Sequence, residues 1–262
     1  MTPLSRIIEL TYNKIEFHIA YKIREGGSGL IFFIHGLGCA KELFDDVWNF
    51  TGLNDYTIVT VDLPGFGDSG MPDAFSGDLQ DHAQICRCLI SRLPERRIHI
   101  VGHSMGGAVG LLLSDMIHDR LESFVNVEGN LISHDCEVSR RKVSVTFEEF
   151  EKKQLPGLIL LTSISDQPGM RLWSTYIKKA DRKGFYRSSR SLVNWSDSGR
   201  LLKAFRKLGC KKVYVYGETN SFLKIITMLD GIPTVSISQS GHFPMNDNPG
   251  EFYDVLAGFI CS

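Results

Sequence analysis

The chain predicts an α/β fold, with a mostly parallel central sheet and helices on both faces. Three observations carry that expectation. Continuous apolar runs recur along the chain, helical periodicity fills several of the gaps between them, and polar–apolar alternation is confined to the N-terminal end. The chain has 262 residues, 43% of them hydrophobic, enough to bury one substantial core.

Residues 10–23 alternate around Asn13, as an antiparallel edge hairpin does. The run Leu30-Ile31-Phe32-Phe33-Ile34 is apolar throughout, the pattern of a strand buried on both faces. Similar runs follow at 57–61, 98–101, 124–127, 213–216 and 234–237. Helix-like segments occupy 78–93, 105–118, 197–208 and 221–229, so strand and helix alternate as in βαβ units. The alternation stops after Asn130. Residues 131–196 carry helix signals but no convincing strand, and are expected to form a helical cap inserted over the C-terminal edge of the sheet. The core is then 1–130 together with 197–262. Thr146-Phe147-Glu148-Glu149 is a capping-box pattern for a short helix ending near Pro156. A second cap helix is expected from Pro168 towards Lys179. The last helix opens at Asn248-Pro249-Gly250-Glu251, a cap followed by proline in the first turn.

Charge is balanced, with a formal net of −1, so nothing points to a nucleic acid or another polyanion as partner. The six cysteines show no metal-ligand spacing, and no metal or organic cofactor is expected. The N-terminal residues lack a signal-peptide pattern, which favours reduced thiols and a cytoplasmic protein. No run is long enough for stable membrane insertion. A small molecule is the expected partner, and a homodimer is allowed.

The most informative segment is Gly102-His103-Ser104-Met105-Gly106, a Gly-x-Ser-x-Gly set between an apolar run and a helical one. Flanking glycines permit the tight turn that leaves a serine hydroxyl exposed at a strand tip, with a helix N-terminus behind it. A serine needs a base, and the base an orienting acid. His242, in Ser240-Gly241-His242-Phe243-Pro244 just past the last strand, has the right chain order. His35 opens a glycine-rich turn and His103 is held inside the elbow, while His18, His99 and His118 read as structural.

The acid is less direct. Where an aspartate is commonest, after the penultimate strand, the chain reads Asn220. Glu128, at the tip of the run 124–127, is favoured because an unpaired carboxylate there is costly to desolvate. Glu218 is the alternative and Asp135 a remote third. Oxyanion donors are expected from the backbone N–H of Met105 and from the turn His35-Gly36-Leu37-Gly38, at Leu37.

Taken together, His35–Gly38, Asp62-Leu63-Pro64-Gly65-Phe66-Gly67-Asp68-Ser69, the Ser104 elbow and Gly241–Pro244 resemble the α/β-hydrolase fold family over nearly the whole chain. The resemblance implies a serine hydrolase acting through an acyl-enzyme. It also implies that Glu128 occupies the variant acid position used by several haloalkane dehalogenases and lipases. Dehalogenases and epoxide hydrolases of this fold carry aspartate at the elbow, so Ser104 points to acyl chemistry on a small ester or lactone. His103, Cys39, Phe147 and Trp173 are the expected pocket residues, with Leu158, Leu161 and Trp195 as further candidates. Two rival readings stay open. One is carbon–carbon bond hydrolysis of a diketone-like substrate. The other is a non-catalytic ligand-binding relative, which Asn220 at the usual acid position favours.

Overall fold

The computed structural model describes residues 2–262. Eight strands form one sheet: β1 (Leu4–Tyr12), β2 (Ile15–Arg24), β3 (Leu30–Ile34), β4 (Thr57–Val61), β5 (Ile98–His103), β6 (Leu121–Val127), β7 (Lys211–Gly217) and β8 (Thr234–Ile237). Their order is β1-β2-β4-β3-β5-β6-β7-β8. The hairpin β1–β2 is antiparallel and joins β4 antiparallel, while β3 to β8 pair in parallel. Asn13 and Lys14 both adopt positive φ (49° and 64°), the two-residue turn whose twist suits a hairpin.

Alternate residues of the inner strands face opposite layers. On one face Ile34, Ile100 and Phe124 meet the helix carrying Gly110, and Phe124 also packs edge-on against Phe205. On the other face Phe33 packs on Phe44, and Tyr253 donates to the Phe44 carbonyl. Every residue of β3 and β4 is buried, as the unbroken apolar runs require. Helices α1 (Leu79–Ile90) and α2 (Met105–Met116) lie side by side.

Between β6 and β7 the described chain contains helices only: α3 (Glu137–Val143), α4 (Phe147–Glu149), α5 (Leu155–Ser163), α6 (Pro168–Ile177), α7 (Arg182–Asp197) and α8 (Arg200–Lys207). Three details differ from the sequence reading. Pro156 does not end a helix. A π turn over 150–154 sends the Leu155 N–H back to the Phe150 carbonyl, and Pro156 then takes a first-turn position where no N–H is needed. Residues 197–208 are not one helix, because Gly199 at φ 68° breaks the chain between α7 and α8. α7 was hidden because much of its buried face is serine (Ser188, Ser189, Ser191 and Ser196). Three of those hydroxyls are bonded: Ser188 to His82 and Ser191 to Asp78 on the α1 side, and Ser189 to the Phe185 carbonyl within α7. A buried face made largely of serine leaves a weak hydrophobic period.

After β7, the expected helix over 221–229 shrinks to one turn, α9 (Lys224–Thr227). α10 (Pro244–Asp247) and α11 (Pro249–Cys261) complete the chain. Asn248 accepts the Glu251 N–H at the start of α11. All six cysteines are free. Among the described residues no helix is long and apolar enough to cross a membrane.

Candidate active site

Ser104 stands between β5 and α2 at φ 53°, ψ −121°, a left-handed conformation that costs a non-glycine residue on the order of 1–3 kcal/mol and persists only when neighbours enforce it. The neighbours are backbone. A methyl group on Gly106 would lie 2.1 Å from the Ile34 carbonyl oxygen, and one on Gly102 would lie 2.5 Å from that of Gly106. Glycine is therefore required for α2 to start this close to the sheet.

Glu128 repeats the strain at the tip of β6, with φ 45°. Its backbone N–H bonds the Val215 carbonyl at 2.8 Å, turning the side chain into the gap between β6 and β7. There it is almost fully buried (5% exposed) but fully engaged. Oε1 accepts from the Gly217 N–H at 2.9 Å. The Asn220 amide donates to both carboxylate oxygens at 2.8 Å, and His242 Nδ1–H donates to Oε2 at 2.7 Å. Charge-assisted bonds of this kind offset the desolvation of the carboxylate. They also fix the imidazole tautomer, leaving Nε2 of the neutral ring as an acceptor.

Glu218 is exposed and accepts the Gln239 N–H at 2.9 Å. Asp135 accepts the Leu131 and Ile132 N–H groups, and neither carboxylate bonds His242. Asn220, at the position where an aspartate was expected, orients Glu128 instead.

Ser104 Oγ makes a single hydrogen bond among the described residues, to Asn130 Oδ1 at 3.5 Å, and none to His242. Bonds of this kind commonly tighten only when a ligand is bound. Asn130 was missed in the sequence, where only its place two residues after Glu128 could have flagged it. The Asn130 N–H also bonds the Ser104 carbonyl, at 3.3 Å.

The turn after β3 lies directly against the serine, since a methyl on Gly36 would stand 3.0 Å from Ser104 Cβ. The backbone N–H groups of Leu37 and Met105 donate to no protein acceptor among the described residues. Free amides beside a serine at a helix N-terminus are suited to receiving an oxyanion. Trp173 Nε1 donates to the Leu37 carbonyl at 2.8 Å, tethering this turn to α6.

Ser104, Glu128, Asn130, Asn220 and His242 line one cavity of about 300 Å³. Its walls include Leu37, Cys39, His103 and Trp173, together with Met170, Leu192, Tyr214, Leu223 and Phe243. Phe147 does not reach it. That ring packs edge-on against Tyr186 and near Phe150, because the helical stretch it opens turns it towards α7. Leu158 is buried elsewhere and Leu161 is exposed. Trp195 stacks under the Arg200 guanidinium.

His103 is buried, and its Nε2–H donates to the His242 carbonyl at 2.8 Å. Burial, with His242 nearby, holds its pKa well below the ordinary imidazole value. The neutral ring thus anchors the loop that carries His242. Among the described residues no group of three or more His, Cys, Asp or Glu side chains could hold a metal ion.

Residues 31–255 match the sequence profile described as "Alpha/beta hydrolase family". An uncharacterized protein of Mycobacterium tuberculosis is 24% identical over 264 residues, 90% of this chain and 77% of its own length. Among solved structures, a thermophilic esterase from Thermogutta terrifontis superposes with a TM-score of 0.79 at 19% identity, covering 98% of each chain. An N-acyl homoserine lactonase superposes with a TM-score of 0.79 at 16% identity, covering 99% of this chain and 96% of its own.

Proposed function

The chain belongs to the α/β-hydrolase family, and we propose that it is a serine hydrolase cleaving a small carboxylic ester or lactone. One observation carries the reading. A buried carboxylate, Glu128, holds His242 Nδ1 at 2.7 Å in the same cavity as Ser104, a serine in a strained turn at a helix N-terminus. In this reading Ser104 Oγ attacks the carbonyl carbon while His242 Nε2 takes its proton. Glu128 stabilises the imidazolium that forms. The tetrahedral oxyanion is received by the N–H groups of Leu37 and Met105. Collapse expels the alcohol, protonated by His242, and leaves an acyl group on Ser104. Water, deprotonated by His242, then releases the acid. For a lactone the freed hydroxyl remains part of the acyl chain, and the second step releases a single hydroxy acid.

Size supports a small substrate. About 300 Å³ is at the lower end of the roughly 300–1,000 Å³ typical of ligand sites. Residues 131–196 act as the cap: α3, α6 and α7 each contribute to the cavity wall through Val138, Met170, Trp173 and Leu192. Both the T. terrifontis esterase and the lactonase share the fold, which supports ester-type substrates for this chain too.

The test is covalent labelling with a fluorophosphonate, the adduct located by peptide mass spectrometry, in wild type and in Glu128→Gln. The expected result is a single adduct on Ser104 that forms far more slowly in the variant. No adduct on the wild type would overturn the assignment and favour the ligand-binding reading. Turnover of a dienol–diketone with none of nitrophenyl esters would redirect it to carbon–carbon hydrolysis.

A further inference from the structure

Resting on the hydrolase reading of this cavity, we propose that Asp135 is a specificity-determining residue that binds a hydrogen-bond donor on the substrate: a hydroxyl, an amide N–H or an ammonium. The cavity would therefore select neutral or cationic esters and reject those carrying a second carboxylate.

The loop after β6 fixes the group. Oδ2 of Asp135 accepts the N–H groups of Leu131 at 2.9 Å and Ile132 at 3.0 Å, which settles the side-chain orientation. Oδ1 accepts from no protein donor among the described residues, although Asp135 lines the cavity. Oδ1 is not among the buried unpartnered atoms, so this acceptor is accessible on the cavity wall, where a substrate donor can displace water. The cavity wall contains no lysine or arginine, and no protein donor among the described residues reaches Oδ1; the His134 imidazole and the Glu128 and Glu137 carboxylates are other ionisable groups lining the cavity. Burial pushes the Asp135 carboxyl up to about 6, with the two backbone amides opposing the shift. At neutral pH the group is thus mainly ionised and has an acceptor to offer. Asp135 is also coupled to the machinery, because its backbone carbonyl accepts the Asn130 side-chain amide, and Asn130 touches Ser104 Oγ.

Binding can be separated from turnover in Ser104→Ala, using calorimetry with four uncleavable anilides. These are hexanoic, 6-hydroxyhexanoic and 6-aminohexanoic anilide and the monoanilide of adipic acid. The expected order places the hydroxyl and ammonium tails at least about tenfold tighter than the methyl tail, as a hydrogen bond to a charged group allows, and the carboxylate tail weakest. Adding Asp135→Asn, which keeps an oxygen for the Leu131 and Ile132 amides, should level the four affinities. Equal affinities in Ser104→Ala, or a preference that survives Asp135→Asn, would overturn the proposal. Failure of the hydrolase reading looks different: the preference persists in Ser104→Ala while the wild type turns over none of the matching nitrophenyl esters.

Discussion

Glu128 combines three demands: a left-handed backbone, burial of its carboxylate, and a hydrogen bond that orients His242. Gln at this position keeps the shape but not the charge that stabilises an imidazolium. Glu128→Gln should therefore lower kcat by about 10³–10⁴-fold with little change in KM, read in steady-state kinetics on a nitrophenyl ester. Asn220 shows why an amide suits its position. It donates to both Glu128 oxygens, whereas a carboxylate there would repel them. In Asn220→Asp the added negative charge favours a protonated imidazole, so the acidic limb of the kcat/KM profile should move to higher pH by about one unit. An unmoved limb would show that Asn220 is a spacer only.

Among the elements, α6 has a defined task. Its Trp173 indole holds the Leu37 carbonyl from across the cavity, so the orientation of the Leu37 N–H depends on the cap. Trp173→Phe keeps an aromatic wall but frees the turn. The expected loss is about tenfold in kcat with KM changed less than twofold, since a donor acting on the transition state is being misaligned rather than removed. Serine-faced α7 makes the complementary point. Its docking on α1 through Ser188 and Ser191 rests on hydrogen bonds that no hydrophobic period advertises, while α2 was legible because its glycines and apolar residues fit only a buried helix beside a strand.

For the whole molecule, stability should respond to two buried charge arrangements. Lys41 joins the chain after β3 to the end of β4, its ammonium bonding Asp62 at 2.8 Å and Asp68 at 2.6 Å. Burial alone would lower the Lys41 pKa, but the bonds to Asp62 and Asp68 outweigh it and raise the value. Asp62→Asn leaves that cation undercompensated and should cost about 3 kcal/mol in denaturant unfolding. Asp135 acts in the opposite sense. Its carboxyl is raised to about 6 in the folded protein against about 3.9 unfolded. The folded state therefore binds more protons between those values, and this group's contribution to stability falls as pH rises through that window. Asp135→Asn should accordingly raise Tm relative to wild type at pH 8, and the gain should vanish near pH 4.

By itself the sequence determined the sheet, the serine elbow, the histidine and the preference for Glu128. Each is a local matter: apolar runs must be buried, glycines must stand where backbone touches backbone, and a carboxylate at an apolar strand tip needs partners. Tertiary structure decided what those partners are. Asn220 and Gly217 reach Glu128 from β7 and the turn beyond it, and Asn130 rather than His242 meets Ser104 Oγ. Trp173 reaches the cavity and Phe147 does not. Those contacts join residues far apart in the chain, and their geometry depends on how the cap helices dock, which no short-range pattern encodes.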